Sequence, residues 1–264
     1  MESVPAMIVM SQVAFCSSNR CTRGGYMDAD HLSKRLAAVA AYVPANSRMA
    51  DIGSDHAYLP VYLAKRQRIS YAVAGEVVDG PFENAKTEIA NQNLTECIDA
   101  RLGDGVTVLK PDDNIDTIVI AGMGGTLISD ILERGWQQLT GNELLVLQPN
   151  VGEYHLRKWL ATHAYQITAE RILKDDGHIY EIMVAHKVKE PFSLSELDAR
   201  FGHFLLANPN DAFVEKWQHE QQRNAHVLAA LNHAANVPVA KQQELQREQQ
   251  LIEEVLQDAS TNLN

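Results

Sequence analysis

The sequence predicts an α/β fold, a doubly wound and mostly parallel sheet followed by a helical arm. Short apolar runs that read as buried strands, Ile115 to Ala121 the clearest of them, alternate with segments of helical period. The first four of these runs each end in Gly or an acidic residue before the chain turns back. Late in the alternation, Tyr165 to Leu173 and His178 to His186 flank Lys174-Asp175-Asp176-Gly177, a hairpin turn with Gly suited to positive φ.

Each element follows from its own residues. Met1 to Tyr26 mixes Ser, Cys, Arg and Gly without a sustained period and is expected to be disordered or an over-extended start, with Met27 as the initiator. From Asp30, Leu32, Leu36, Val39 and Ala40 recur at helical spacing until Pro44 stops the helix, which leads into a first strand, Arg48 to Ile52. Tyr58 to Arg66 is the next helix and Tyr71 to Glu76 the second strand. Asp79 opens a helix reaching Asn93, with Pro81 tolerated in its first turn. Cys97 to Leu102 is a short third strand running into Gly103-Asp104-Gly105. Ile115 to Ala121, the fourth, is continuous and β-branched as a central parallel strand should be, and it ends in a loop, Gly122-Met123-Gly124-Gly125, before a helix from Thr126 to Arg134. Leu144 to Gln148 is the fifth strand, ending Gln148-Pro149-Asn150, with a helix at Glu153 to Thr162. The hairpin then closes an otherwise parallel sheet with an antiparallel pair, the pattern of the class I, Rossmann-like methyltransferase fold and not of the six parallel strands of dehydrogenases.

After Pro191 the composition turns helical and polar. Leu194, Leu197, Phe201, Phe204 and Leu205 suggest one amphipathic segment, and Phe213 to Ala234 and Val239 to Asp258 suggest two long helices joined at Asn236-Val237-Pro238. Gln and Glu with sparse Leu at heptad-like spacing read as an antiparallel, coiled-coil-like hairpin. The organisation expected is thus a start at 1–26, a Rossmann-like domain at 27–190 and a helical arm at 191–264, the arm read as a structural or partner-binding element and not as an RNA clamp.

A chain of 264 residues can hold one α/β domain of about 150 residues and a smaller appendage. No run approaches the roughly 18 apolar residues of a membrane span, and Val4 to Phe15 lacks the basic leader and cleavage pattern of a signal peptide, so a cytoplasmic location is expected. Cys16, Cys21 and Cys97 make neither a paired framework nor metal-ligand spacing; reduced thiols and no metal are expected. The net charge of -11 argues against a protein that coats nucleic acid by charge alone. Residues 28–190 nevertheless carry 16 Lys and Arg against 23 Asp and Glu, while 191–264 carry 5 against 10. Any RNA contact therefore falls on clustered cations of the first part, with Lys34, Arg35 and Arg66 as the candidates.

The chemistry concentrates in Met49 to Pro60, where an apolar strand end, an acidic residue, a tight turn and a helix start follow one another. In doubly wound folds a ligand sits beyond the carboxyl end of the first strand, where a small residue admits it and the next helix presents N–H groups. Asp51 and Gly53 fit that role. The dinucleotide fingerprint wants Gly where this chain has Asp55, and a carboxylate there repels a pyrophosphate. S-adenosylmethionine, with a ribose, an adenine, an ammonium and a sulfonium but no phosphate, suits such a turn better. Glu76, one βαβ unit after Asp51 at the end of the second strand, stands where an acidic residue commonly bonds ribose hydroxyls. Asp104 can accept from an exocyclic amine between two glycines. From the four strand ends, S-adenosylmethionine is expected against Asp51, Gly53, Ser54, His56, Glu76, Val77, Asp104, Gly105, Ala121, Gly122 and Met123.

Several long motifs, taken in order, permit a family resemblance. Leu32-Ser-Lys-Arg-Leu, Ala50-Asp-Ile-Gly-Ser-Asp-His-Ala-Tyr-Leu-Pro, Ala74-Gly-Glu-Val-Val-Asp-Gly-Pro, Gly103-Asp-Gly, Ile120-Ala-Gly-Met-Gly-Gly and Leu147-Gln-Pro-Asn closely resemble the bacterial tRNA adenine-22 N1-methyltransferases (TrmK). The similarity runs from Leu32 to Ala185 and more loosely through the C-terminal helices. It implies a Rossmann-like S-adenosylmethionine domain, a coiled-coil-like arm, and methylation of an adenine in the D-arm region of tRNA. It also implies that Asp55, the second Asp of its motif, is the catalytic carboxylate. Adenine N1 has its own lone pair, so the protein needs mainly alignment and a group that stabilises charge growing on the ring. The Asn or Asp, Pro, Pro, aromatic motif of adenine N6-methyltransferases is replaced here by Ala121-Gly122-Met123-Gly124, which favours ring N1 over the exocyclic amine. A methyltransferase acting on a small molecule or protein, and a non-catalytic S-adenosylmethionine-binding module, are the competing readings; without the family motifs the first of these would lead.

Overall fold

Met49 and Ala50 on one strand, and Ile118 and Val119 on its neighbour, alternate between opposite faces of a sheet, and all four are buried. A sheet covered on both sides follows from that pattern. The computed structural model describes residues 29–232 and 239–262. The expectations for residues 1–26, Met27, Cys16, Cys21 and the joint at 236–238 fall outside them.

Within the described residues, α1 (Lys34–Tyr42), α2 (Tyr58–Lys65), α3 (Asp79–Asn91), α4 (Gly125–Arg134) and α5 (Glu153–Thr162) alternate with β1 (Ser47–Ile52), β2 (Ile69–Glu76), β3 (Ile98–Leu102), β4 (Thr117–Gly124) and β5 (Leu144–Val151). The hairpin β6 (Tyr165–Asp175) and β7 (His178–Lys187) completes a seven-stranded sheet of order β3-β2-β1-β4-β5-β7-β6, in which only β7 runs against its neighbours. Asp176 and Gly177 both have positive φ, 46° and 78°, as a two-residue type I′ turn requires. The α1, α2 and α3 side chains Val39, Leu59, Leu63 and Ile89 bury one face of the sheet. Ile128, Leu132, Leu156 and Leu160 from α4 and α5 bury the other.

Three boundaries differ from expectation. The first helix begins at Lys34 and not near Asp30, because Ser33 caps it by accepting from the Leu36 N–H at 3.1 Å. Gly122 to Gly124 is not a loop but the irregular end of β4, paired out of step with Pro149 and Val151 of β5. The segment after Pro191 is not one amphipathic helix: α6 (Glu196–Phe201) and α7 (His203–Ala207) break at Gly202, whose φ is 86°. A Cβ there would stand 2.6 Å from Arg157 Nη2 and 2.7 Å from Glu170 Oε1, so a charged cluster under the break requires glycine.

That cluster joins the C-terminal helices to the sheet. Arg157 of α5, fully buried, pairs with Glu170 of β6 at 2.7 Å and Glu181 of β7 at 2.6 Å, and it also donates to the carbonyl of Arg200. Lys216 of α8 (Asp211–Asn232) completes it, 2.7 Å from Glu181 and 2.6 Å from Glu153. Burial pushes the Glu181 carboxyl up, but Lys216 and Arg157 outweigh it and hold it below the usual range. Phe201, Phe213, Trp217, Ile252 and Val255 make a separate apolar core in which α8 packs on α9 (Val239–Asn262) and on Ile172 of β6.

Candidate active site

The turn after β1 takes its shape from backbone bonds to β2. The N–H groups of Gly53 and Ser54 both donate to the Gly75 carbonyl, at 2.8 and 3.1 Å, and Ala57 donates to Ser54 at 2.9 Å. Gly53 sits at φ 76°, a left-handed position that favours glycine, and the end of the flexible Met123 side chain packs where a Cβ would be. Asp55 and Ala57 follow at φ 50° and 55°, left-handed positions of which the second costs about 1 kcal/mol for an alanine. No side chain caps the first turn of α2, and neither Asp51 nor Asp55 serves as its N-cap.

Around this turn lie two adjoining clefts that share Gly53 and Met123. One, of about 300 Å³, is lined by Arg35, Asp51, Ser54, Asp55, His56, Tyr58, Ala121 and Gly122. The other, of about 180 Å³, is lined by Glu76, Val77, Gly103, Asp104, Gly105, Leu127 and Arg134. All eleven residues expected to meet a ligand from the four strand ends line one cleft or the other.

Their electrostatics differ in kind. Asp51 is buried and accepts from Ser54 Oγ at 2.6 Å. Burial pushes its carboxyl up to about 6; the Ser54 bond pulls it down and the Glu76 charge pushes it up again. Glu76 is also buried, with Oε1 accepting from the N–H groups of Val77 and Val78 at 2.7 and 3.2 Å and Oε2 from that of Asp55 at 3.3 Å. The long bond leaves Oε2 capacity for a further donor such as a hydroxyl. Asp104 pairs with Arg134 at 3.1 Å, so its carboxylate is shared before any amine reaches it. Asp55 projects its carboxylate into the larger cleft, 3.7 Å from His56 Nε2, and the His56 ring stacks on Tyr58 at 5.0 Å. Val77 and Leu127 are exposed at the mouth of the smaller cleft, an apolar rim for a flat ring. Acidic acceptors, exposed apolar walls and glycine at the closest approach fit S-adenosylmethionine and do not fit a pyrophosphate.

The profile of the tRNA (adenine(22)-N(1))-methyltransferase family, TrmK, matches residues 49–259. The chain belongs to this family. It is 43% identical over 232 residues to the tRNA (adenine(22)-N(1))-methyltransferase of Bacillus subtilis, across 85% of this chain and 97% of that relative. Among solved structures, a protein of Listeria monocytogenes is similar at a TM-score of 0.82 and 45% identity, covering 86% of this chain and 100% of that one. A putative tRNA (m1A22) methyltransferase of Streptococcus pneumoniae, solved in complex with S-adenosyl-L-methionine, is similar at a TM-score of 0.78 and 42% identity over 86% of this chain and 100% of that one.

The TrmK motifs thus converge on one edge of the sheet, but the three candidate RNA cations do not. Arg35 is drawn into the larger cleft, its Nη1 donating to Gln148 Oε1 at 2.5 Å and its guanidinium 5.4 Å from the Tyr180 ring centre. Lys34 beside it is exposed. Arg66 stands just past the far end of α2, about 12 Å from its start at the cleft, and lies 3.6 Å from the Tyr62 ring centre while donating to the Asp30 carbonyl. Sequence reasoning passed over Tyr58 and Tyr180, because a single tyrosine beside a helix start or in a strand reads as core. It also passed over Arg157, Glu170, Glu181 and Lys216. Arg157, adjacent to the apolar Leu156 and three residues before Leu160 on an amphipathic helix, was the available sign of a buried charge.

Proposed function

We infer that this chain is an S-adenosylmethionine-dependent methyltransferase acting on N1 of adenine 22 in tRNA, the activity of the family to which it belongs. The observation that carries this is the pair of joined clefts: an acid-lined one fit for the nucleoside of the cofactor, and a wider one, bounded by Asp55 and Arg35, fit for the base that receives the methyl. S-adenosylmethionine supplies an electrophilic methyl on a sulfonium sulfur.

The residues divide the remaining work. Glu76 takes the ribose hydroxyls and the Val77 and Leu127 rim the adenine ring of the cofactor. Asp51, buried and acidic, takes a cationic group, and Gly53 and Gly122 let the ligand approach the backbone. Asp55 accepts from the N6 amino group of the target adenine and offsets the positive charge that N1 gains. No side chain has to generate the nucleophile, since N1 brings its own lone pair. Lys34 and Arg35 lie on the RNA side. Arg66, turned onto Tyr62 at the far end of α2, contributes to RNA affinity less than either. We assign residues 27–190 to catalysis and 191–264 to an arm, and place the enzyme in the cytoplasm with its tRNA substrate; no described helix is long and apolar enough to cross a membrane.

Transfer of a labelled methyl group from S-adenosylmethionine to unmodified tRNA, followed by mapping of the modified nucleoside, tests the reading. N1-methyladenosine at position 22 is expected. Label on a protein or small molecule, or none on tRNA, overturns it.

A further inference from the structure

Gly122 occupies a place in β4 where the strand ladder fails. Ala121 pairs with Gln148 and Met123 with Pro149, leaving Gly122 bulged between them at φ 81°. A bulge leaves its peptide groups without ladder partners, to be met by side chains or by water. Two side chains of β5 meet the need. Gln148 Oε1 accepts the Gly122 N–H at 3.0 Å, and Asn150 Nδ2 donates to the Gly122 carbonyl at 2.8 Å. The two amides are tied to one another, Gln148 Nε2 donating to Asn150 Oδ1 at 3.1 Å and to the Pro149 carbonyl at 2.9 Å.

Gln148 has no solvent exposure, and all its hydrogen-bonding capacity is used, because the same Oε1 also accepts from Arg35 Nη1 at 2.5 Å. Arg35 is fixed from two further sides, by its N–H on Asp175 Oδ2 at 2.8 Å and by the Tyr180 ring. One buried amide therefore sets both a bulged backbone on one wall of the larger cleft and a guanidinium on another. A bulge beside a site re-aims the chain, and a fully satisfied buried network gives it a single conformation.

The geometry points to Gln148 and Asn150 as positioning residues for methyl transfer, which hold the Gly122 bulge and Arg35 at the separation the target adenine requires. This rests on the reading of the chain as a TrmK-type methyltransferase. It assigns a task to Gln148-Pro149-Asn150, which touches neither Asp55 nor Glu76. The requirement is geometric: misplacement of reacting groups by about 1 Å costs on the order of 100-fold in rate.

Asn150→Ala and Asn150→Asp test it at an exposed position; Gln148→Leu is the buried counterpart. The whole protein is assayed with unmodified tRNA and S-adenosylmethionine, single-turnover rates at saturation being set beside the KM for tRNA, the calorimetric Kd for S-adenosylmethionine and the melting temperature. Asn150→Ala should lower the single-turnover rate about 10- to 100-fold, with both affinities within about threefold and the melting temperature unchanged. Asn150→Asp, the same shape without the donor, should lose at least as much. Rates within threefold of wild type in both Asn150 variants, or a loss that follows the Kd for S-adenosylmethionine, overturn the inference. Absence of transfer by the wild-type protein in the same assay overturns the methyltransferase reading itself and the inference with it.

Discussion

The Glu76 carboxylate accepts the backbone N–H of Asp55 at 3.3 Å, so the end of the second strand holds the residue at the centre of the first turn. With the roles proposed for the two residues, that bond would couple binding to catalysis. Glu76→Ala removes the proposed ribose acceptor and also frees the Asp55 N–H. Cofactor affinity should fall by on the order of 1 to 3 kcal/mol, and the single-turnover rate should fall even at saturating S-adenosylmethionine. Unchanged affinity in calorimetric titration would take Glu76 out of the site.

Asp55 lines the larger cleft, and its carboxylate lies 3.7 Å from His56 Nε2. Asp55→Asn should therefore keep the fold and the affinity for S-adenosylmethionine while turnover drops by about two to four orders of magnitude, the range for a positioned acid or base. Single-turnover transfer to tRNA beside cofactor titration separates the roles. A fall in affinity equal to the fall in rate would make Asp55 a binding residue, and a near-normal rate would end its catalytic assignment.

Asp51 sets a pH dependence. Its carboxyl, raised from 3.8 to about 6 by burial, takes up a proton in the folded protein where the unfolded chain has lost it. Its contribution to stability is thus fully present below pH 4 and is lost as pH rises through 6, a change on the order of 3 kcal/mol. Asp51→Asn should raise the melting temperature of the ligand-free protein at pH 7.5 and weaken S-adenosylmethionine binding. In the wild type, binding of a cationic group favours the ionised carboxylate, so affinity should decline as pH is lowered from 7 to 5. A flat affinity profile across that range would mean that Asp51 faces no cation.

The Arg157 cluster carries the attachment of the C-terminal helices. Arg157→Met leaves Glu170 buried without its partner and Glu181 with Lys216 alone, and the expected loss is about 3 to 5 kcal/mol in urea unfolding. Replacing Arg157 and Glu170 together by Met and Leu, with the Glu181–Lys216 pair left in place, should recover most of it, since the cost lies in the uncompensated charge. A single variant as stable as wild type would show that solvent reaches the cluster.

Much of this molecule is written locally. Strand period, β-branching at Ile118 to Ile120 and the Asp176-Gly177 turn set a parallel sheet closed by a hairpin, because these depend on side-chain alternation and on backbone angles within a few residues. The positions of Asp51, Gly53, Glu76, Asp104 and Gly122 at strand ends were legible for the same reason, since parallel strands in one sheet bring their carboxyl ends to one edge. What no stretch of sequence contains is the partner of a side chain that is distant along it. Arg35 reads as a surface cation beside Lys34, yet Gln148, 113 residues away, and Tyr180 draw it into the cleft. Gly122 to Gly124 reads as a loop because glycines end strands, yet Met123 and Gly124 pair with Pro149 and Val151 of β5, and the amides of Gln148 and Asn150 bond the bulged Gly122 between them. Gly202 breaks a helical pattern because Arg157 and Glu170, brought from α5 and β6, occupy the space a side chain would need. Local angles and periods are encoded in neighbours; the pairing of buried polar groups is decided only once tertiary packing has removed the water that would otherwise satisfy them.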